Sequence, residues 1–301
     1  MSTTAERPRR PWAAPPLDGY RPMVINVALT GAVPMKSDNP QVPLSPEEIA
    51  QDAISCADAG ASVVHMHVRD EDGKPVHRTD LYESAVRLIR SVRPDLIICV
   101  TTSSRVGNDF PSRLRGMELA ENLRADMASL TLGSFNFPAT VSNNPPDQIV
   151  RLLDRMLELD IRPELEVFEL GMVNTLHVLR DRGLIPHPPV VNILLGSYGS
   201  APAFVGDLGR VVERLPADAE WAAAGIGIYQ RPMTIAAAIM DGNVRTGLED
   251  NPRGDGSADW SNVKAVELAV SAATLAGRQV ETTAGARTRF GLAAVPQCPA
   301  E

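Results

Sequence analysis

Ser62-Val63-Val64-His65-Met66-His67 is an apolar, β-branched run broken only by two histidines, and the fold is decided by how it is read. On a strand, side chains alternate between faces, so His65 and His67 share one face while Val64 and Met66 take the other. A run this apolar must be covered on both sides, as strands of parallel sheets are. Comparable runs occur at Met23 to Leu29, Leu96 to Val100, Met127 to Leu130, Glu164 to Phe168, Val190 to Leu195, Trp221 to Ala224 and Val244 to Leu248, which makes eight in all.

Helix-period segments lie between these runs, among them Pro46 to Ala59, Leu81 to Val92, Pro146 to Leu159 and Pro232 to Met240, and Ser261 to Ala276 follows the eighth. Ser45-Pro46-Glu47-Glu48 places serine at the N-cap, proline at the first helical position and carboxylates in the first turn, and Gly60 supplies the stop. Eight strands alternating with helices predict an α/β fold closed as a (β/α)8 TIM barrel, which typically fills roughly 250 residues. The competing doubly wound sheet normally carries a glycine-rich phosphate turn after its first strand, and Thr30-Gly31-Ala32-Val33-Pro34 is not one.

The 301 residues allow one large domain, expected over residues 21–301, preceded by a Pro/Arg-rich arm over residues 1–20 with no signal-peptide pattern. Hydrophobic residues at 44% and charged residues at 22% match ordinary globular proteins, with no apolar run long enough for a membrane span. A net charge of -8 argues against nucleic acid or an anionic membrane as partner and favours a small molecule. Cys56, Cys99 and Cys298 are odd in number and widely spaced, which suits a reducing cytoplasm, and no chemistry is assigned to them.

Reactive groups of such barrels come from the carboxyl ends of the strands. The polar residues there are Thr30, His65 and His67, Thr101 and Thr102, Ser129 and Thr131, Glu166 and Glu169, and Glu249 with Asp250. His65 and His67 face the barrel interior together and are placed to share a metal. The alternative, a pair of hydrogen-bonded core histidines, is costly to bury unpaired. Glu249 is the best third ligand, because barrel closure brings strand eight beside strand one and near strand two, and two histidines with one glutamate are a known catalytic set. As loop charges ending a strand, Glu249 and Asp250 would mean nothing more. Arg245 is positioned to meet a substrate carboxylate or Asp250, or to serve in a structural ion pair. His77, His177 and His187 are read as structural.

From Asn26-Val27-Ala28-Leu29-Thr30-Gly31-Ala32 through Val63-Val64-His65-Met66-His67-Val68-Arg69-Asp70, Gly133-Ser134-Phe135-Asn136-Phe137 and Pro163-Glu164-Leu165-Glu166-Val167-Phe168 to Val244-Arg245-Thr246-Gly247-Leu248-Glu249-Asp250-Asn251, the chain resembles the beta-keto acid cleavage enzymes. The resemblance implies zinc held by His65, His67 and Glu249, although such a set accepts other divalent metals. It implies acetyl-CoA as co-substrate and conversion of a β-keto acid to acetoacetate and a new acyl-CoA. Asp250 is then the general base, Arg245 its positioning partner, and Thr101 and Ser129 further catalytic residues. Val33, Thr102, Ser103 and Glu166 are the expected substrate-binding positions, and a homo-oligomer, a tetramer, is implied.

Several positions depart from the family. Thr101 stands for a serine, Ser129 for a threonine, and Thr102-Ser103-Ser104-Arg105 for Thr-Gly-Gly. Val33 replaces a glutamate of the member that acts on an amino-keto acid, so an ammonium substrate is not expected. Val33, Pro34 and Met35 suit an uncharged tail, whereas Arg105 suits a second carboxylate, and both readings stand at this level. Two other classes remain. A metal-dependent hydrolase or aldolase needs further histidines at strands five and six, where Glu166, Glu169 and Leu195-Gly196-Ser197 occur instead. A non-catalytic binder is compatible with the altered strand-three loop.

Overall fold

The computed structural model describes residues 19–106, 109–254, 256–257 and 259–293. Most of the expected arm, and Cys298, lie outside the described residues. Eight parallel strands form a closed barrel: β1 (Ile25–Ala28), β2 (Val63–Met66), β3 (Ile97–Val100), β4 (Met127–Thr131), β5 (Arg162–Val167), β6 (Val190–Leu195), β7 (Glu220–Gly225) and β8 (Asn243–Thr246). They neighbour one another in chain order, and β8 pairs with β1 through Ile25 opposite Val244 and Asn26 opposite Arg245. The (β/α)8 TIM barrel is therefore the fold. Each expected strand is found, with no end shifted by more than two residues.

The helices are α1 (Pro46–Asp58), α2 (Thr79–Val92), α3 (Phe110–Leu114), α4 (Pro146–Glu158), α5 (Leu170–Asp181), α6 (Val205–Arg214), α7 (Gln230–Ile239), α8 (Asn262–Leu275) and α9 (Thr283–Phe290). The expected cap of α1 is present: the Glu48 amide donates to the Ser45 hydroxyl, and the Ser45 amide donates to the Glu48 carboxylate, both at 3.2 Å. Between β3 and β4 the connection is weaker than a regular β-then-α alternation predicts, with the five-residue α3 and a short 3-10 turn at Glu121–Leu123. No helix among the described residues is long and apolar enough to cross a membrane.

Alternation along the strands sorts the core into two parts. Ile25, Val27, Val64, Met66, Ile98 and Val100 point outward and pack with helix residues such as Ile49, Ala53, Val86 and Ile89. Val24, Val63, Ile97, Cys99, Met127 and Val190 point inward and form an apolar floor, closed by Ala286 and Phe290 of α9. Above that floor the interior turns polar, with Asn26, His65, Glu164, Glu166 and Arg245 all buried.

Asn262, at the start of α8, fastens the top of β1 to the segment after β8. Its side-chain oxygen accepts from the Leu248 amide at 2.7 Å, and its side-chain nitrogen donates to Leu29 O at 3.0 Å and to Asp52 at 2.6 Å. Burial raises the Asp52 carboxyl to about 6, partly opposed by the Asn262 bond. The folded state therefore holds this proton more tightly than the unfolded chain, and the associated stability is lost as pH rises through about 6. Asp52→Asn should remove a pH slope of about 2–3 kcal/mol between roughly pH 4 and 6, measured by urea unfolding across that range.

Candidate active site

A cavity of about 510 Å³ opens at the carboxyl ends of the strands. His65 from β2 and His67 just after it reach its base, as the period-two spacing requires. Glu249 arrives from the segment after β8, where its amide donates to Ala28 O at 3.2 Å. Two glycines make this approach possible. Gly31 (φ 65°) leaves space in which a Cβ would meet Glu249 Cγ at 2.5 Å, and a Cβ on Gly247 (φ 128°) would collide with the Ala28 carbonyl.

His65 Nε2 lies 3.6 Å from Glu249 Oε2, and His67 Nε2 lies 3.4 Å from Oε1. These separations exceed good hydrogen bonds, and Glu249 Oε2 is buried without a hydrogen-bond partner. Donors at 2.0–2.2 Å from a tetrahedral ion would stand roughly 3.3–3.6 Å apart, so the three side chains fit a single divalent metal. Burial holds the His65 imidazole well below its ordinary value, which keeps it in the neutral, ligating form. Burial alone would raise Glu249, but His67, Arg245 and His65 hold it well below the ordinary carboxylate range.

Beside this group Asp250 is 5% exposed, with both oxygens gripped by Arg245: Nε to Oδ2 at 2.9 Å and the Nη2 nitrogen to Oδ1 at 3.0 Å. Arg245 also lies 3.2 Å from Glu249 Oε1 and 3.7 Å from Glu166 Oε1. Burial raises Asp250 and Arg245 opposes that rise. Glu166 is fixed from its other oxygen by the Thr131 hydroxyl at 2.6 Å.

Of the remaining expected residues, Val33, Thr101, Ser103 and Glu166 line the cavity with His65, His67, Glu249, Arg245 and Asp250, whereas Thr102 and Ser129 do not. Those two bond each other: the Thr102 hydroxyl donates to Ser129 O at 2.6 Å, and the Thr102 amide reaches the Ser129 hydroxyl at 3.5 Å. Thr101 accepts from the Ser103 amide at 3.1 Å. His77, His177 and His187 contact Ser103 O, Arg214 O and Asp218 respectively.

Glu164 is a further acid of the site that no sequence motif singled out. It sits beneath His65, with Oε2 3.9 Å from Nδ1, while Asn26 donates to Oε1 at 2.6 Å. Burial pushes this carboxyl up to about 7. The available signal was a pair of acids two residues apart on an apolar strand, which puts Glu164 and Glu166 on the same inward face.

Fold and geometry together define a class: a (β/α)8 protein with two histidines and a carboxylate converging beside an Arg–Asp pair in a cavity at the catalytic face. The sequence model of the beta-keto acid cleavage enzymes matches residues 22–292. A 3-oxoadipate:acetyl-CoA acetyltransferase of Cupriavidus necator is 37% identical over 276 residues, covering 90% of this chain and 95% of that protein. A 3-keto-5-aminohexanoate cleavage enzyme of Fusobacterium nucleatum is 36% identical, covering 90% and 98%. The apo structure of ObcA superposes with a TM-score of 0.76 at 22% identity, over 85% of this chain and 66% of that one, a likeness of fold. The chain belongs to the beta-keto acid cleavage enzyme family, and it is an enzyme.

Proposed function

We propose that the chain converts a β-keto acid and acetyl-CoA to acetoacetate and a new acyl-CoA, using a divalent metal held by His65, His67 and Glu249. The observation that carries this reading is the buried Arg245–Asp250 pair set directly against the triad. Relatives named for 3-oxoadipate, 3-keto-5-aminohexanoate and 3-dehydrocarnitine differ in the tail of the acid and share the 3-oxo group, and the first and third also name acetyl-CoA. Zinc is the metal this reading favours, two histidines and one glutamate being a known catalytic zinc set.

Bound there, the ion would supply Lewis acidity to the ketone and carboxylate oxygens of the substrate. Asp250, raised in basicity by burial and paired with Arg245, takes a proton from the carbon between ketone and carboxylate. That carbon attacks the acetyl carbonyl of acetyl-CoA and the CoA thiolate leaves. The thiolate then adds to the original ketone carbon, the old carbon–carbon bond breaks, and Asp250 returns its proton to the departing acetoacetate. Arg245 holds the base in one orientation through both proton transfers, and Glu166, braced by Thr131, places a carboxylate 3.7 Å from the far side of Arg245. The hydrolase or aldolase alternative gains nothing, since β5 and β6 bring Glu166 and Leu194 to the cavity and no histidine.

Metal-loaded protein given acetyl-CoA and a panel of β-keto acids should form acetoacetate and a new acyl-CoA in equal amounts. Release of free CoA with no new thioester would overturn the reading.

A further inference from the structure

The loop after β3 holds a cation that the chemistry above does not use. Arg105 lines the cavity, its guanidinium lies 4.0 Å from the Phe137 ring centroid, and its Nε donates to the Ser103 hydroxyl at 3.4 Å. Ser103 is itself fixed through its carbonyl, 3.0 Å from His77 Nε2, and the Ser104 hydroxyl accepts from the Asn143 amide at 2.8 Å. The two serines are therefore parts of a mount for Arg105.

Arg245 is already paired with Asp250 at 2.9 Å and with Glu249 at 3.2 Å, and Glu166 stands 3.7 Å from it. Arg105, by contrast, has no carboxylate within ion-pair distance among the described residues, and its terminal nitrogens have no acceptor there. A guanidinium stacked on an aromatic face and held at Nε still presents a planar donor edge that matches a carboxylate. Phe135 and Phe168 stack at 4.1 Å beside Phe137, and the three rings give the cavity an apolar wall next to Arg105. Val33, the other candidate for reading the tail, sits at the rim and is 67% exposed, so it contributes little apolar enclosure.

We propose that Arg105 is a specificity-determining residue that binds a second carboxylate, so that the substrate is a 3-oxo dicarboxylic acid with a short methylene spacer. This rests on the β-keto acid reading above. The methylenes lie on the phenylalanine wall, the keto-acid end meets the triad, and the distal carboxylate neutralises Arg105.

The test compares 3-oxohexanedioate with 3-oxohexanoate, equal in length and different only at the far end, in wild type, Arg105→Leu and Arg105→Lys. Wild type should favour the dicarboxylate by about tenfold or more in kcat/KM. Arg105→Leu should raise its KM on the order of 10- to 100-fold, with kcat little changed and the monocarboxylate unaffected. Arg105→Lys, which keeps the charge without the fork, should fall between.

A Leu variant that weakens both acids equally, or that raises only the KM for acetyl-CoA, overturns the proposal. Calorimetric binding of hexanedioate, which lacks the ketone and cannot react, separates this inference from the reaction. Binding lost in Arg105→Leu supports the carboxylate site even if neither keto acid is turned over, whereas equal binding in both proteins overturns it.

Discussion

Asp250→Asn should lower kcat by on the order of 10²- to 10⁴-fold while the protein keeps its metal. Both carboxylate oxygens of Asp250 are bound by one guanidinium, so the base is held in a single orientation without a ligand role in the triad. Asparagine preserves the shape but has no basicity, and its amide nitrogen would face an Arg245 donor. Arg245→Lys should give a smaller loss, because an ammonium cannot reproduce the two parallel bonds. Steady-state kinetics with metal analysis on the same preparations checks both. An Asp250→Asn enzyme retaining more than about a tenth of wild-type kcat would remove Asp250 from the role of base.

The second large effect concerns the triad. His65→Ala, His67→Ala and Glu249→Gln should each abolish stoichiometric metal binding and, with it, turnover. Chelation of the wild type should do the same, reversed by Zn²⁺. A readout independent of activity is thermal stability: metal at about 100 times its Kd should stabilise wild type by roughly 2.7 kcal/mol and leave the His65→Ala variant unmoved. The physical basis is the set of buried nitrogen and oxygen atoms at 3.4–3.6 Å, with Glu249 Oε2 lacking any hydrogen bond. Full activity in chelated protein, or unchanged metal content in His65→Ala, would contradict this assignment.

Much of the fold was legible because a barrel strand is buried on both faces and so leaves an apolar run wherever it occurs. The inward aim of His65 and His67 was legible for the related reason that strand side chains alternate. Helix regularity was less so. Between β3 and β4 the order of elements suggested a full crossover helix, whereas the chain there builds only α3 and a 3-10 turn. In the same region Arg113 is buried and donates to Thr102 O at 2.7 Å and to Asn144 at 2.7 Å, bonds between residues no local pattern connects.

The roles of individual polar residues divide along the same line. Thr102 and Ser129 are hydroxyl residues at strand ends, indistinguishable in one dimension from Thr101, yet they turn toward each other and not into the cavity. Glu164 was hidden because only the closed barrel places it under His65 and against Asn26.

By itself the sequence determined the eight-strand alternation, the shared face of His65 and His67, and the presence of Glu249, Asp250 and Arg245 near the end of the last strand, all consequences of short-range periodicity. Only the tertiary structure decided that Arg245 is paired with Asp250 and Glu249 while Arg105 has no carboxylate within ion-pair distance among the described residues, and that Val33 is 67% exposed. Ion pairing and exposure depend on which distant segments barrel closure brings within a few ångströms, a quantity that no local pattern carries.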